Sequence, residues 1–353
     1  MKGKLPPVWL SLLVLLLTLL WRSVGAPLTQ EQFRNLEIPF WQARILLPVR
    51  VERILMLWPV QSHAKAEEAT ETVRVYMNSE EAVRQMSMQE YVCGVVAAEM
   101  PAAYHLEALK AQAVAARTRV IRQQKEGGCS AHPSADICTD STHCQAYASE
   151  IERQERWQEE YPAYQQRVAQ AERETRGEYI SYQGQPIEVV FHAISGGRTE
   201  DAKTVFSQGR PYLISVESTG EEQVRGFQEE RFLSFEEIAE RISPLCQDNP
   251  IDAQDVQQSL AINSYTETGR VKSLVIGSVL LDASDFRAAL DLRSTWFTLS
   301  SDEKGIIFHQ RGYGHGVGMS QAGANAMAAC GANYRDILMH YYPGVSIETQ
   351  MGE

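Results

Sequence analysis

A glutamate at the end of a predicted helix is the first candidate for chemistry in this chain. The helix is expected to begin with the S-x-x-E pattern at Ser87 and to end just before Pro101. Val92 and Val95 share a helical face with Glu99, so this carboxyl continues an apolar stripe near the negative end of the helix dipole. Burial and the dipole both favour the protonated carboxyl that a general acid needs. A structural ion pair with a cation of the next helix is the open alternative.

The next predicted helix, residues 106–124, carries two cations on its apolar face. Lys110 and Arg117 share a stripe with Val114, where an amphipathic helix would otherwise place hydrocarbon. Cations in such positions need anionic or hydrogen-bonding partners. We expect Lys110 and Arg117 to line a binding groove near Glu99, and ordinary ion pairing is the alternative.

A dense group of potential metal ligands follows between residues 129 and 144. Its members are Cys129, His132, Cys138, His143 and Cys144. Thiolate and imidazole together suit tetrahedral zinc. A disulfide is the alternative that an extracytoplasmic location would permit, but histidines have no role in a disulfide, so zinc is favoured.

Polar groups recur in the second half of the chain beside small residues. Residues 149–178 are rich in Glu, Gln and Arg and predict solvated helices without chemistry. A glycine-rich turn at residues 312–318 has His315 at its centre, and Gln321 follows. It lacks the Lys-Ser/Thr of a phosphate loop. We expect His315 and Gln321 to contact substrate, although His315 could instead satisfy a buried backbone group.

The N-terminus and the composition indicate an exported protein. After two lysines, residues 5–21 are almost wholly apolar, which predicts a membrane segment with its N-terminus in the cytoplasm. We interpret residues 1–26 as an uncleaved anchor, with a cleaved signal peptide as the alternative, and residues 27–71 as a juxtamembrane stalk. The net charge of −12 argues against a nucleic-acid partner, although a local basic groove is compatible with it.

Six motifs, in order along the chain, resemble one protein family. They are EYVCGVVAAEMP (90–101), EALKAQAVAARTR (107–119), FHAISGGRTEDA (191–202), RPYLISVES (210–218), GYGHGVGMSQAGANAMA (312–328) and YRDILMHYYPG (334–344). Together they resemble the stage II sporulation protein D family, the peptidoglycan lytic transglycosylases of endospore-forming bacteria. The resemblance extends from about residue 73 to the end, and a related domain occurs in proteins that modify amidases.

The resemblance implies roles for individual residues. Glu99 would be the catalytic acid, and Thr199 and Tyr212 would line the substrate groove. Some members bind zinc through a His, a Cys and an adjacent His-Cys pair. At this spacing those four ligands correspond to His132, Cys138, His143 and Cys144, which leaves Cys129 as a spare. Four side-chain ligands would leave no open coordination position, so the single zinc would be structural.

The expected architecture is an α+β extracytoplasmic enzyme with a glycan-binding groove, preceded by one N-terminal membrane helix. The catalytic domain is predicted to span residues 72–350. It would comprise a catalytic and zinc-loop part (72–218), an inserted subdomain (219–300) and a C-terminal part with the glycine-rich turn (301–350). No nucleotide cofactor is expected.

The resemblance also implies a reaction and partners. Lytic transglycosylases need one carboxyl group, whereas most glycoside hydrolases use two. The implied substrate is peptidoglycan glycan already stripped of stem peptides. The implied partners are the stage II sporulation protein P amidase and other engulfment membrane proteins. Two alternatives remain open: a non-catalytic amidase modifier or wall-binding scaffold, and a hydrolase that pairs Glu99 with Glu107 or Glu188.

Overall fold

The computed structural model describes residues 71–206 and 208–350, and within them it is a mixed α+β protein, as predicted. The helices are α1 (Met88–Glu99), α2 (Leu106–Lys125), α3 (Glu150–Trp157), α4 (Tyr161–Glu174), α5 (Ala202–Phe206), α6 (Phe235–Ile242), α7 (Ala253–Ser259), α8 (Ala283–Ala289), α9 (Gln321–Ala329) and α10 (Tyr334–Tyr341). Short 3-10 helices lie at Gln158–Glu160 and Ser243–Leu245.

Fourteen strands are present in the described residues. They are β1 (Thr72–Met77), β2 (Ala82–Ser87), β3 (Ile137–Cys138), β4 (Glu178–Tyr182), β5 (Gln185–Pro186), β6 (Phe191–His192), β7 (Gln228–Ser234), β8 (Ala261–Tyr265), β9 (Val271–Ile276), β10 (Val279–Asp282), β11 (Phe297–Ser301), β12 (Gly305–Arg311), β13 (Met319–Ser320) and β14 (Ser346–Thr349). They form small sheets in the orders β2-β1-β3, β14-β4-β5, β13-β6, β11-β12-β7 and β10-β9-β8.

Helices α1 and α2 form the centre of the first hydrophobic core, and local signals account for both. The Ser87 side chain accepts the Glu90 N–H at 3.1 Å and caps α1. Met100 is extended, as the residue before Pro101 must be, so α1 ends at Glu99. Helix α2 matches its predicted span to within one residue at its end. Its alanines are fully buried, which lets α1, α4, α9 and α10 pack closely against it.

A second hydrophobic core lies between Leu233 and Phe308. It is built from the antiparallel sheet β11-β12-β7, the antiparallel sheet β10-β9-β8 and helices α6, α7 and α8. The sequence predicted an inserted subdomain at residues 219–300, and the second core reaches slightly further because β12 belongs to it.

The predicted membrane anchor and almost all of the predicted stalk lie outside the described residues. Among the helices that the structure describes, none combines the length and the apolar character needed to cross a bilayer.

Candidate active site and metal centre

Glu99 is the last residue of α1 and is held by two hydrogen bonds. Its Oε1 accepts the Ala146 N–H at 3.0 Å, and its Oε2 accepts from the Gln321 side-chain amide at 3.4 Å. Desolvation raises the pKa of Glu99, and the two hydrogen bonds oppose that shift without cancelling it. Glu99 as a whole residue is partly exposed.

Gln321 is brought to Glu99 by the start of α9. The Ser320 side chain accepts the Gly323 N–H at 3.2 Å and caps this helix. The amide of Gln321 also lies 3.5 Å from the Gln112 side-chain oxygen on α2, which orients it. Asn325, one turn further along α9, accepts the His105 N–H at 2.8 Å just before α2 begins. The predicted site residue Gln321 therefore lies directly beside the acid.

The loop that supplies Ala146 is fastened to both central helices. Gln145 donates its side-chain amide to the Tyr91 hydroxyl at 3.1 Å and to the Ala116 carbonyl at 3.2 Å. Gly94 leaves room for the Tyr147 ring, because a Cβ at that position would lie 2.1 Å from a ring carbon. Sequence reasoning missed Ala146, since a backbone amide gives no side-chain signal.

The alternative second acids are already engaged in ion pairs. Glu107 accepts from Lys110 at 2.7 Å and from the Tyr334 N–H at 2.9 Å. Glu188 pairs with Arg210 at 2.8 Å. Among the described residues, no charged side chain contributes to the pKa shift of Glu99, so no second carboxylate acts on it at close range.

The two cations of α2 have protein partners. Lys110 bridges Glu107 at 2.7 Å and Glu174 at 2.6 Å. Arg117 is 1% exposed, lies 3.4 Å from Glu172 and donates to the Thr175 carbonyl at 2.8 Å. Arg117 therefore does not line a groove in this structure. Arg117 is in a buried ion pair, which was the alternative to its predicted role in the groove. Its guanidinium is enclosed by α4 and the chain that follows.

Thr199 and Tyr212 are buried and make contacts within the fold. The Thr199 hydroxyl accepts the Val216 N–H at 2.8 Å. The Tyr212 hydroxyl accepts the Glu188 N–H at 3.0 Å, and its ring lies against Tyr182. Neither side chain contacts Glu99 through a hydrogen bond, so their place in a substrate groove stays a prediction.

His315 lies in the glycine-rich turn beside a second histidine. Its ring centroid is 5.6 Å from that of His192, and its Nδ1 accepts the Val317 N–H at 3.0 Å. Desolvation lowers the pKa of His315 to about 4, and Arg287 and Arg270 add to the effect. The imidazole is therefore neutral near pH 7. It satisfies a backbone group, which was the alternative to its predicted substrate contact.

Four potential metal ligands converge in the loop before Ala146, and they are Cys129, Cys138, His143 and Cys144. Their donor atoms all lie within 4.8 Å of one another. His143 Nδ1 is 3.6, 3.5 and 3.2 Å from the three sulfurs, in chain order, and the Cys129 and Cys144 sulfurs are 4.0 Å apart.

The cluster in the structure differs from the predicted ligand set at one residue. His132 is not in the cluster, because its ring stacks on Tyr76 with a centroid distance of 3.6 Å. Cys129, expected to be a spare, takes the fourth place. The parallel pairing of β3 with β1 sets Cys138 next to Tyr76 and so fixes the geometry of this loop.

The donor set fits zinc. With Zn–S of about 2.3 Å and Zn–N of about 2.0 Å, tetrahedral ligand atoms lie roughly 3.5 to 3.8 Å apart, close to the spacings in this cluster. The Ser130 hydroxyl lies 3.0 Å from His143 Nε2, so it can hold the ring with Nδ1 facing the sulfurs. The Arg119 guanidinium on α2 donates to the His143 carbonyl at 2.7 Å. Cys144 is two residues from Ala146, so one loop carries both the cluster and the N–H that contacts Glu99.

Known proteins resemble this chain over most of its length. A family model described as SpoIID, Stage II sporulation protein, matches residues 76–182, which include Glu99 and the four clustered ligands. Stage II sporulation protein D of Bacillus amyloliquefaciens is 34% identical over 280 residues, or 79% of each chain. The protein of the same name from Bacillus subtilis (strain 168) is 33% identical over 78% of each chain. An amidase enhancer of Bacillus subtilis (strain 168) is 26% identical over 72% of this chain and 40% of its own length.

Proposed function

Because the chain belongs to the stage II sporulation protein D family of sporulation proteins, we propose that it is a peptidoglycan lytic transglycosylase with Glu99 as its single acid. The observation that carries the proposal is the environment of this carboxyl. Glu99 as a residue is partly exposed, its pKa is raised by desolvation, and no second carboxylate among the described residues acts on it. A reaction that needs only one proton-cycling group suits such a site.

The proposed reaction uses the Glu99 carboxyl twice. The protonated acid donates its proton to the glycosidic oxygen, and the bond from that oxygen to the anomeric carbon breaks as an oxocarbenium-like centre forms. The resulting carboxylate then removes the proton from the C6 hydroxyl of the same muramic acid residue. That oxygen bonds to the anomeric carbon and closes an anhydro ring. The acid is restored and no water is consumed.

The two hydrogen-bond donors to Glu99 serve the intermediate stage. Once the proton has left, the Ala146 N–H and the Gln321 amide stabilise the carboxylate, because hydrogen bonds to the charged form favour that form. They also orient both oxygens. The raised pKa and these donors together keep the carboxyl ready to act as acid and then as base.

We further propose that the cluster of Cys129, Cys138, His143 and Cys144 holds one structural zinc ion. Bound zinc would cross-link a loop that has few apolar side chains to stabilise it. Protein residues connect this loop to the acid. Arg119 and Gln145 hydrogen-bond the loop to α2, and Ala146 donates its N–H to Glu99.

The cellular setting follows as part of the proposal. The substrate would be glycan strands without stem peptides, so an amidase such as stage II sporulation protein P would act first. The N-terminal segment would hold the catalytic domain on the outer side of the membrane, with other engulfment proteins nearby. Family membership supports this setting.

One alternative has support from a specific observation. The similarity to an amidase enhancer suggests a modifier of another enzyme. The two-carboxylate hydrolase has less support, because Glu107 and Glu188 are held in ion pairs.

The products formed from denuded glycan strands test these functions. In one reaction, full-length protein is incubated with denuded strands alone. In a second reaction, it is incubated with intact peptidoglycan and an amidase. The masses of the products are measured by mass spectrometry. Anhydro-muramic ends from denuded strands alone are the expected result. Products heavier by one water would show hydrolysis, and activity only as an increase in amidase rate would show a modifier. Either of those results overturns the transglycosylase proposal.

A further inference from the structure

A fully buried glutamine on α2, Gln112, contacts the amide that donates to the acid. The side-chain nitrogen of Gln321 lies 3.4 Å from Glu99 Oε2 and 3.5 Å from Gln112 Oε1. Gln112 is 0% exposed and Gln321 is 5% exposed, whereas Glu99 is partly exposed. Three side chains from α2, α9 and α1 therefore form one chain of hydrogen bonds that begins in the core and ends at the acid.

The orientation of a glutamine amide is not fixed by its own rotamer. The last torsion of the side chain has a broad, roughly two-fold distribution, so hydrogen-bond partners must select the orientation. The amide nitrogen carries two hydrogens. With Glu99 accepting one and Gln112 accepting the other, both hydrogens of Gln321 are used and the plane of its amide is set. Without Gln112, one hydrogen would lose its acceptor in a buried position, and the amide would turn away from Glu99 to find another.

Gln112 occupies its position at a cost in stability. Its Nε2 is buried and has no hydrogen-bond partner among the described residues. A buried polar atom without a partner costs free energy that an apolar side chain of similar volume would not. Its neighbours Ala111 and Ala113 on α2 are fully buried as well. The contact with Gln321 therefore explains a glutamine at this position better than packing does.

The other donor to Glu99 is positioned separately. Ala146 follows Gln145, whose side-chain amide donates to the Ala116 carbonyl at 3.2 Å, one turn beyond Gln112 on α2. Helix α2 thus positions one donor for each oxygen of the acid, Gln321 for Oε2 and Ala146 for Oε1. A change at Gln112 should affect the first donor and leave the second in place.

Charged side chains on the neighbouring segments bond to other groups. They include Lys110, Arg117 and Arg119 on α2, Arg156 on α3, Arg167 on α4, and His143 in the loop that carries the Cys/His cluster. Helix α9 has no charged residue. None of these groups contributes to the pKa shift of Glu99, which desolvation raises and the bonds from Ala146 and Gln321 oppose. A change in that pKa in a Gln112 variant would therefore report on the bond from Gln321.

We propose that Gln112 is a positioning residue for the reaction, because by accepting one hydrogen of the Gln321 amide it holds the other hydrogen on the Glu99 carboxyl. The inference rests on the proposed role of Glu99 as the acid. Gln112 itself is fully buried, so it acts through Gln321 and not on the glycan. Its removal should weaken the bond from Gln321 and so favour the protonated form of Glu99 over the carboxylate.

Gln112→Met tests this role, because methionine fills a similar space without an acceptor oxygen. NMR titration of the Glu99 carboxyl carbon, identified by its absence in Glu99→Gln, should give a higher pKa in Gln112→Met than in the parent. Gln124→Met, on the same helix and about 18 Å further along, is the matched control and should leave this pKa unchanged. Gln124 donates to Asp136 and to the Thr72 carbonyl, away from the acid.

Stability separates a positioning role from a structural one. Unfolding is measured below pH 4.5, the ordinary pKa of a glutamate, where Glu99 is mostly protonated in both the folded and the unfolded state. Under these conditions the unfolding midpoint of Gln112→Met should equal that of the parent or exceed it, because the unpaired Nε2 is gone. A structural role alone would lower the midpoint and leave the pKa of Glu99 in place.

A double variant tests whether Gln112 acts only through Gln321. If it does, the pKa of Glu99 in Gln112→Met with Gln321→Ala should equal that in Gln321→Ala alone. In glycan cleavage, the alkaline limb of the pH–rate profile should move to higher pH in Gln112→Met, with KM for denuded strands unchanged. A parent protein that cleaves no glycan would refute the transglycosylase proposal, whereas the NMR titration would still test Gln112.

Two results would overturn the role of Gln112. The first is an unchanged or lower pKa of Glu99 in folded Gln112→Met, and the second is a further shift in the double variant beyond that in Gln321→Ala. If Gln112→Met does not fold, hydrogen exchange in the parent provides the test. Both side-chain amide hydrogens of Gln321 should then exchange slowly with solvent, and rapid exchange of either would show that two acceptors do not hold this amide.

Discussion

Gln321 donates its side-chain amide to the Glu99 carboxylate at 3.4 Å, although the two residues lie 222 positions apart in the chain. The same carboxylate accepts the N–H of Ala146 from the loop that carries the Cys/His cluster. Three segments distant in sequence therefore meet at one carboxyl. Its chemistry depends on how accurately α1, α9 and this loop are held together.

Replacing the acid should abolish turnover. Glu99→Gln keeps an oxygen that can accept the Ala146 N–H, so the fold should persist, but it cannot cycle a proton. Loss of general acid catalysis should lower the rate by about two to four orders of magnitude or more. Counting anhydro-muramic ends released from denuded strands measures this. Glu107→Gln is the matched control and should keep most activity, and a folded Glu99→Gln with parent-like rates would show that another group is the acid.

Removing the amide donor should change the pH dependence of the reaction. The hydrogen bond from Gln321 lowers the pKa of Glu99, so its loss should raise that pKa further. Because the protonated form is the active one, the alkaline limb of the pH–rate profile should move to higher pH in Gln321→Ala. Asn325→Ala on the same helix should leave that limb in place. A limb that stays fixed in Gln321→Ala would show that it does not report on Glu99.

The raised pKa of Glu99 also affects stability. Between pH 4.5, the ordinary pKa of a glutamate, and its raised value, the folded state holds more protons than the unfolded state. Stability from this group therefore falls as the pH rises through that window. Glu99→Gln lacks the effect, so its unfolding free energy relative to the parent should increase from pH 4.5 upward and then level off. Denaturant unfolding at several pH values measures the difference, and a constant difference would mean that the pKa of Glu99 is not raised by folding.

Local sequence signals predicted the two central helices well. The Ser87 cap and Pro101 bound α1, and the predicted span 106–124 became Leu106–Lys125. Such features depend on neighbours within one turn. The contact between Gln321 and Glu99 has no local signature, so the sequence placed Gln321 at the substrate but could not give its contact with the acid.

Two differences between the predicted site and the structure have the same kind of cause. The stripe on α2 indicated that Arg117 faces inward, but its partner Glu172 is on α4, which the composition described as solvated. The choice of Cys129 over His132 depends on the stacking of His132 on Tyr76, a strand residue 56 positions earlier. In both cases the arrangement in the structure depends on a long-range contact, which the local sequence pattern does not report.

The buried pair on α2 should be essential for stability. Arg117→Met leaves the Glu172 carboxylate, 2% exposed, with the exposed Arg176 at 3.5 Å as its remaining ion-pair partner among the described residues. Breaking such a pair on one side lowers the unfolding free energy by about 3 to 5 kcal/mol. Arg117→Met with Glu172→Gln should recover part of the loss. Arg122→Met breaks the more exposed pair with Glu126 and a long hydrogen bond to the Pro186 carbonyl at 3.3 Å, and it should cost about 1 kcal/mol or less. A stable Arg117→Met with weakened glycan binding would instead support the substrate role.

The metal centre gives the last prediction, because the structure and the family resemblance differ on one ligand. If the cluster binds zinc as the structure arranges it, Cys129→Ser should lose the metal and His132→Asn should keep it. Elemental analysis of protein prepared without added metal measures the stoichiometry, and thermal unfolding with and without chelator measures the coupling to stability. The chelator should lower the unfolding midpoint of the parent and of His132→Asn, since bound metal stabilises only the folded loop.

Loss of zinc from His132→Asn with retention in Cys129→Ser would restore the ligand set that the resemblance implied. A metal-free protein with Cys129 and Cys144 in a disulfide, detectable by mass spectrometry without reduction, would exclude zinc, because those sulfurs lie only 4.0 Å apart and an oxidising compartment could join them.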